Sequence, residues 1–242
     1  MGYIMTFDYH THTVYSHGKG TIRDNVEEAR RKGLSEIAIS DHGPGHLTYG
    51  IKRSAIPKMR EEIDRINSEY DDIKVYLSVE ANIVSRGNCL DITSNEFEDY
   101  DFVIGGYHYG VTGGYCLANW LAGHGVGSGR KLLVRNTDMT VRAIYENRLK
   151  ILTHPGDKGP FDIREIAAAC SDTGTWMEIS THHRNLTVEQ IKEAAHTDAV
   201  FVISSDAHVP HRVGTFEGGL ERAFEAGLDP ERIVNIKKVE TK

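Results

Sequence analysis

Histidine is unusually abundant in this chain, with 13 His against 7 Phe and 2 Trp, and its placement points to a chemistry. Seven of the histidines stand just beyond β-rich runs: His10 and His12 in DYHTH, His17 in SHG, His42 in SDHG, His108 in GGYH, His154 in THPG and His208 in SSDAH. Glu80 in VEAN and Asp206 in SSDAH hold equivalent places. The two-residue period of a strand puts His10 and His12 on one face, so both imidazoles can reach one ion. A lone histidine after a strand is usually a structural residue with its own hydrogen-bond partner. Nine such groups at the ends of six runs have no economical structural account, because each unpartnered buried imidazole costs roughly a few kcal/mol. Nine ligands also exceed what one tetrahedral ion accepts, so the pattern predicts two or three metal ions with a carboxylate able to bridge them. Imidazole with carboxylate suits Zn, Mn or Fe and disfavours Ca and Mg.

The elements that must position these residues are legible as an alternation. Runs 4–9, 36–40, 73–79, 101–106, 149–153, 175–180 and 199–204 read as strands. Amphipathic segments 25–32, 54–69, 140–147, 162–171, 187–195 and 216–226 read as helices. Thr187 stands three residues before Gln190, the spacing of a capping box. Such alternation predicts a parallel α/β architecture, in which sites lie at the carboxyl ends of the strands, where the ligand-type residues fall. No linker, repeat or low-complexity tract divides the chain, so residues 1–242 are expected to form one domain. The least regular stretch, 107–130, carries seven glycines and reads as a long loop or broken helix, either a lid or a plain surface loop.

Composition narrows the function classes. With 242 residues, 39% hydrophobic and 26% charged, the chain is of globular type, and no apolar run approaches the roughly 18 residues of a membrane helix. The start, MGYIMTFDYH, has neither the basic nor the apolar region of a secretory signal. Cys89, Cys116 and Cys170 form no CxxC pair, which suits a reducing cytoplasm. A net charge of −7 argues against broad binding to nucleic-acid backbones.

Taken together, the HxH of His10 and His12, SDHG, VEAN, GYH, THPGD and SSDAH resemble the ordered motifs of the PHP (polymerase and histidinol phosphatase) superfamily over nearly the whole chain. The likeness is strongest to small stand-alone PHP phosphoesterases, and 8–43 also resembles the PHP domain of bacterial X-family DNA polymerases. The resemblance implies a distorted (β/α)7 TIM-like barrel with three divalent transition-metal ions, Zn first among Zn, Mn and Fe, that hydrolyses phosphate esters. It also implies the ligand sets: His10, His12, Glu80 and Asp206 on one ion, His17, His42 and His208 on a second, Glu80, His108 and His154 on a third. No ligand position is missing.

On this basis the expected function is hydrolysis of a small phosphomonoester, with Glu80, Asp206 and His208 in the catalytic centre and Asp206 orienting the nucleophile and accepting its proton. The leaving alkoxide takes its proton from Asp206 or a nearby His, between which the sequence does not choose. Arg184, Arg212 and Lys19 are the candidate phosphate contacts. Asp8 and Asp41 either fix ligand imidazoles or cap the turns that follow them. His182 and His183 are candidates for the pocket wall. Two other functions are weighed. A 3′-end-processing nuclease is disfavoured by the charge and by the nine residues before the first ligand and 34 after the last, which leave no room for a polymerase module. A non-catalytic metal-binding or docking module is disfavoured by the complete ligand set.

Overall fold

The computed structural model describes residues 2–239. Strand β1 (Gly2–Met5) pairs antiparallel with the last strand, β9 (Ile236–Val239), apart from the main sheet. The expected first strand, 4–9, therefore divides at Thr6, whose N–H and hydroxyl both donate to the carbonyl of Asn235. The main sheet starts with β2 (Phe7–Thr11) and continues through β3 (Glu36–Ile39), β4 (Lys74–Asn82), β5 (Phe102–Gly106), β6 (Leu149–Leu152), β7 (Trp176–Ser180) and β8 (Phe201–Ser204). These seven strands are parallel and lie in the order of the sequence. They curl into a nearly closed, distorted (β/α)7 TIM-like barrel in a single domain. The interior is packed, with Tyr9, Ala38, Ile104, Ile151 and Val202 filling it beneath the strand ends.

Helices α1 (Ile22–Arg31), α2 (Ile56–Glu69), α3 (Cys116–Gly123), α4 (Gly129–Glu146), α5 (Ile163–Thr173), α6 (Val188–Ala195) and α7 (Glu217–Glu225) complete the fold. Local chemistry starts them: Thr21 with Asp24 and Thr187 with Gln190 form capping boxes, and Asp162 accepts from the Glu165 N–H. Burial at Ile56, Met59, Ile63 and Ile66 gives α2 the apolar stripe that seats it on the barrel. Helix α4 begins far ahead of residue 140, because the Ser128 side chain caps it and Leu132 and Asn136 already face inward. The glycine-rich stretch is a broken helix: α3 lies within it, between left-handed glycines at 110 and 113 and at 125 and 127. No helix among the described residues is long and apolar enough to cross a membrane.

The seam between β2 and β8 lacks a continuous ladder and is closed by other groups. The His12 N–H donates to the Ala207 carbonyl at 2.9 Å. The buried Asp8 carboxylate accepts from the backbone N–H groups of Ser205 and Gly214 at 3.2 and 2.8 Å. Fully buried Asn235 donates to the carbonyls of Phe7 and Ile203 at 2.9 and 2.6 Å and accepts from the Ile203 N–H at 3.0 Å. Asn235→Ala strands one donor and two acceptors in the interior, so it is expected to lower unfolding free energy by about 2–4 kcal/mol in urea titrations. A loss below about 0.5 kcal/mol would show that the seam does not depend on it.

Candidate metal centre

Glu80, in β4 and fully buried, lies at the middle of the site. Its Oε1 is 2.9 Å from His154 Nε2 and 3.2 Å from His108 Nε2. Its Oε2 is 2.9 Å from His42 Nδ1, 3.3 Å from His10 Nε2 and 3.7 Å from His12 Nε2. Asp206, beyond β8, faces the same space: Oδ1 is 3.1 Å from His12 Nε2 and 3.5 Å from His208 Nδ1. The His17 ring packs 4.1 Å from that of His208 and 4.8 Å from that of His42. All nine expected ligand residues thus gather at the carboxyl end of the barrel. Two of them, His154 and Asp206, have non-glycine backbones at φ of 29° and 47°, a strained geometry that aims each side chain inward from its strand end.

Electrostatics couple the groups of this cluster. Burial disfavours the Glu80 carboxylate, but the imidazoles of His108, His10 and His42 outweigh it and hold the group well below its usual range. His12 is pushed the other way, its charged form disfavoured by burial and by neighbouring His42. Burial, His208 and His42 likewise lower His17 to about 3. The residues fit divalent ions. His12 Nδ1, His17 Nδ1, His42 Nδ1, His108 Nε2, Glu80 Oε2 and Asp206 Oδ1 are buried without a hydrogen-bond partner, so the lone pairs that converge here are unmet by any proton donor. Ligand atoms on one tetrahedral zinc stand about 3.3 Å apart, comparable to the separations around Glu80. Convergent triplets among the described residues are His10, His12 and Asp206; His12, His42 and His208; His42, Glu80 and His108; and two that take in residues outside the expected set, His154, His183 and Asp206, and His182, Asp206 and His208. His17 is in no triplet among the described residues, although its ring lies against two of them.

Two supporting groups, Glu178 and the pair Asn82 and Asp91, escaped the sequence reading, and a third, His183, was expected only in the pocket wall. Glu178, inside β7 and fully buried, accepts from His10 Nδ1 at 2.7 Å and from the His154 N–H at 2.7 Å, so one carboxylate orients two ligand residues. Asn82 Oδ1 is 2.8 Å from His108 Nδ1, and Asn82 is itself held through Nδ2 by Asp91 at 2.6 Å. His183 places Nε2 3.1 Å from Asp206 Oδ2 and Nδ1 3.1 Å from Asp157 Oδ2. An available signal was a lone Glu in the otherwise uncharged strand WMEIS. Asp41 resolves as a turn-holding group, accepting from the Thr13 N–H, the Thr13 hydroxyl and the Ser16 hydroxyl, and Asp8 as a seam group, accepting from Ser205 and Gly214; neither bonds an imidazole of the expected ligand set.

Above the ligands opens a cavity of about 250 Å3, walled beyond the ligand set by His46, Tyr49, Tyr109, Lys158, His182 and His183. Lys19 and Arg184 are exposed and line none of it. The backbone N–H of Lys19 donates across the seam to the His208 carbonyl, and Arg184 follows His183, whose ring is the one drawn inward. Arg212 lines none of it either and is half-buried, its Nη2 3.5 Å from the Thr181 carbonyl and its Nε buried without a partner.

Comparison with known proteins agrees with this geometry. The PHP domain family matches residues 8–182. A probable phosphatase of Proteus mirabilis (strain HI4320) is 26% identical, with 94% of this chain and 89% of that protein covered. Another of Thermoanaerobacter sp. (strain X514) is 28% identical, with 96% and 90% covered. A solved histidinol phosphate phosphatase of Lactococcus lactis subsp. lactis, complexed with zinc, L-histidinol and phosphate, shares the fold at a TM-score of 0.63 and 18% identity, over 93% of this chain and 95% of that one.

His183 provides a pH test on metal-stripped protein. Burial opposes its charge, but hydrogen bonds to Asp157 and Asp206 prevail and push it up to about 9. Its stabilisation is therefore complete below the unfolded value of about 6.5 and lost as pH rises through the folded value. The difference in unfolding free energy between wild type and His183→Gln should be greatest near about pH 6 and vanish in alkaline solution. A difference independent of pH would show that the ring is held neutral.

Proposed function

Because the chain belongs to the PHP domain family, we propose that it is a metal-dependent phosphatase that hydrolyses a small phosphomonoester at a centre of three divalent ions. The observation that carries this reading is Glu80, whose two oxygens face imidazoles from both sides of the barrel mouth, the arrangement a bridging carboxylate requires. His10, His12, Glu80 and Asp206 would hold one ion, His17, His42 and His208 a second, Glu80, His108 and His154 a third. Zinc is the first candidate, supported by the imidazole-rich set and by the zinc in the Lactococcus lactis phosphatase. Bound there, the ions supply Lewis acidity, acidifying water and drawing charge from the phosphoryl oxygens.

The chain's own groups supply direction. Asp206 offers Oδ1, which has no hydrogen-bond partner, to orient the attacking water and take its proton, while Oδ2 stays fixed by His183. Glu178 and Asn82 keep the ligand rings from turning as charge shifts during the reaction. Arg212 alone among the sequence-expected cations is half-buried, with an Nε free of partners, and is the candidate for a phosphoryl oxygen. A half-open cavity of about 250 Å3 suits a monoester better than a polynucleotide, which would need a longer basic track.

Two measurements test this. Elemental analysis of metal-replete protein should find two to three transition-metal ions per chain, and Glu80→Gln should lower both occupancy and turnover, the latter by at least about 100-fold. Chelator should abolish turnover of p-nitrophenyl phosphate, with single-stranded DNA a poor substrate throughout; full occupancy and turnover in Glu80→Gln would overturn the bridging role. Arg212→Ala should lower kcat/KM by roughly 10- to 150-fold while metal content is unchanged. Unaltered kinetics would make Arg212 a rim residue only.

A further inference from the structure

Resting on the phosphatase reading above, we infer that Lys158 anchors an anionic oxygen of the substrate and selects for it at the cavity mouth. Among the described residues, the cavity wall holds eight histidines, two tyrosines and Asp206, and Lys158 alone among lysines and arginines. Its side chain is about one-third exposed, with Nζ 2.7 Å from Asp157 Oδ2. An ammonium group has three N–H donors in a tetrahedral array, so this partner leaves two for a phosphate or carboxylate.

The backbone around Lys158 is built to hold it there. Lys158 has φ of 62°, a left-handed conformation that costs a non-glycine residue of its type of order 1 kcal/mol and persists only when its surroundings impose it. On one side the Gly156 carbonyl accepts from Asn185 Nδ2 at 2.8 Å. On the other, the Pro160 carbonyl accepts from Asn136 Nδ2 at 3.0 Å, and Gly159 packs so tightly that an added Cβ would lie 2.8 Å from both Asn119 Oδ1 and Asn136 Nδ2. These ties turn the chain between β6 and α5 so that Lys158 enters the wall of the cavity instead of extending into solvent. A freely solvated lysine needs none of them. Asp157 Oδ2 lies 2.7 Å from Lys158 Nζ and 3.1 Å from His183 Nδ1, so the ammonium stands beside the group that faces Asp206.

An anionic oxygen here has two sources: the transferred phosphoryl group itself or a second acid on the leaving group. The experiment compares wild type, Lys158→Ala and Lys158→Arg, all metal-loaded and of verified metal content, on p-nitrophenyl phosphate and 2-phosphoglycolate, with calorimetric titration of inorganic phosphate alongside. Lys158→Ala should lower kcat/KM roughly 10- to 100-fold, mainly through KM, with partial recovery in Lys158→Arg and unchanged metal content. A loss on both esters with weaker phosphate binding places the contact on the phosphoryl group, and a loss confined to 2-phosphoglycolate places it on the second acid. Unaltered KM on both esters with unaltered phosphate affinity in Lys158→Ala would overturn the inference. Should wild type hydrolyse neither ester, the phosphatase reading fails by itself. The phosphate titration would then decide for Lys158, unchanged affinity in Lys158→Ala overturning its role.

Discussion

A fully buried carboxylate ringed by imidazoles is the constraint on which the rest of this molecule depends. Glu80 is fully shielded from bulk solvent, and its ionised form persists because His108, His10 and His42 approach from several strands at once. No single element can supply that environment. The barrel must bring the ends of β2, β3, β4, β5, β6 and β8 together around one carboxylate, and this requires the sheet to curl until its first and last strands meet.

Closure is accordingly where much of the non-ligand polar chemistry is spent. Asp8 and Asn235 join β2 to the β8 side of the sheet through backbone groups, replacing the ladder that seven strands do not complete. Because His10 and Asp206 extend from the two strands that meet at this seam, its register sets their separation. Stability at the seam and geometry at the site are thus one requirement, and the buried polar groups beneath the ligands serve both.

Around the ligands a further layer removes rotational freedom. Glu178, Asn82 with Asp91, and Asp157 with His183 each fix one side of a group whose other side faces the centre. The same Asp157 reaches outward to Lys158, so the layer that orders the centre also shapes the entrance. Helix α3 meets this entrance loop from behind: Asn119 and Asn136 bond each other, and Asn136 bonds Pro160, which links the glycine-rich segment to the cavity wall through buried amides.

The sequence by itself determined the alternating strands and helices and singled out the candidate ligand residues that gather at one end of the barrel, because both follow from local rules. Burial on both faces makes each barrel strand an apolar run, and a ligand must stand just beyond the end of such a run, so His42, Glu80, His108 and His154 are visible without coordinates. Orientation is not local. Whether Asp41 braced an imidazole or a turn depended on where Thr13 and Ser16 folded back, and Glu178 could not be tied to His10 because 168 positions separate them. Lys19, Arg184, Arg212 and Lys158 are equivalent cations when read along a chain. Only the tertiary structure sorts them, since a side chain's direction at a loop is set by distant backbone ties such as Asn136 to Pro160 and by left-handed residues such as Lys158, which no short-range pattern records.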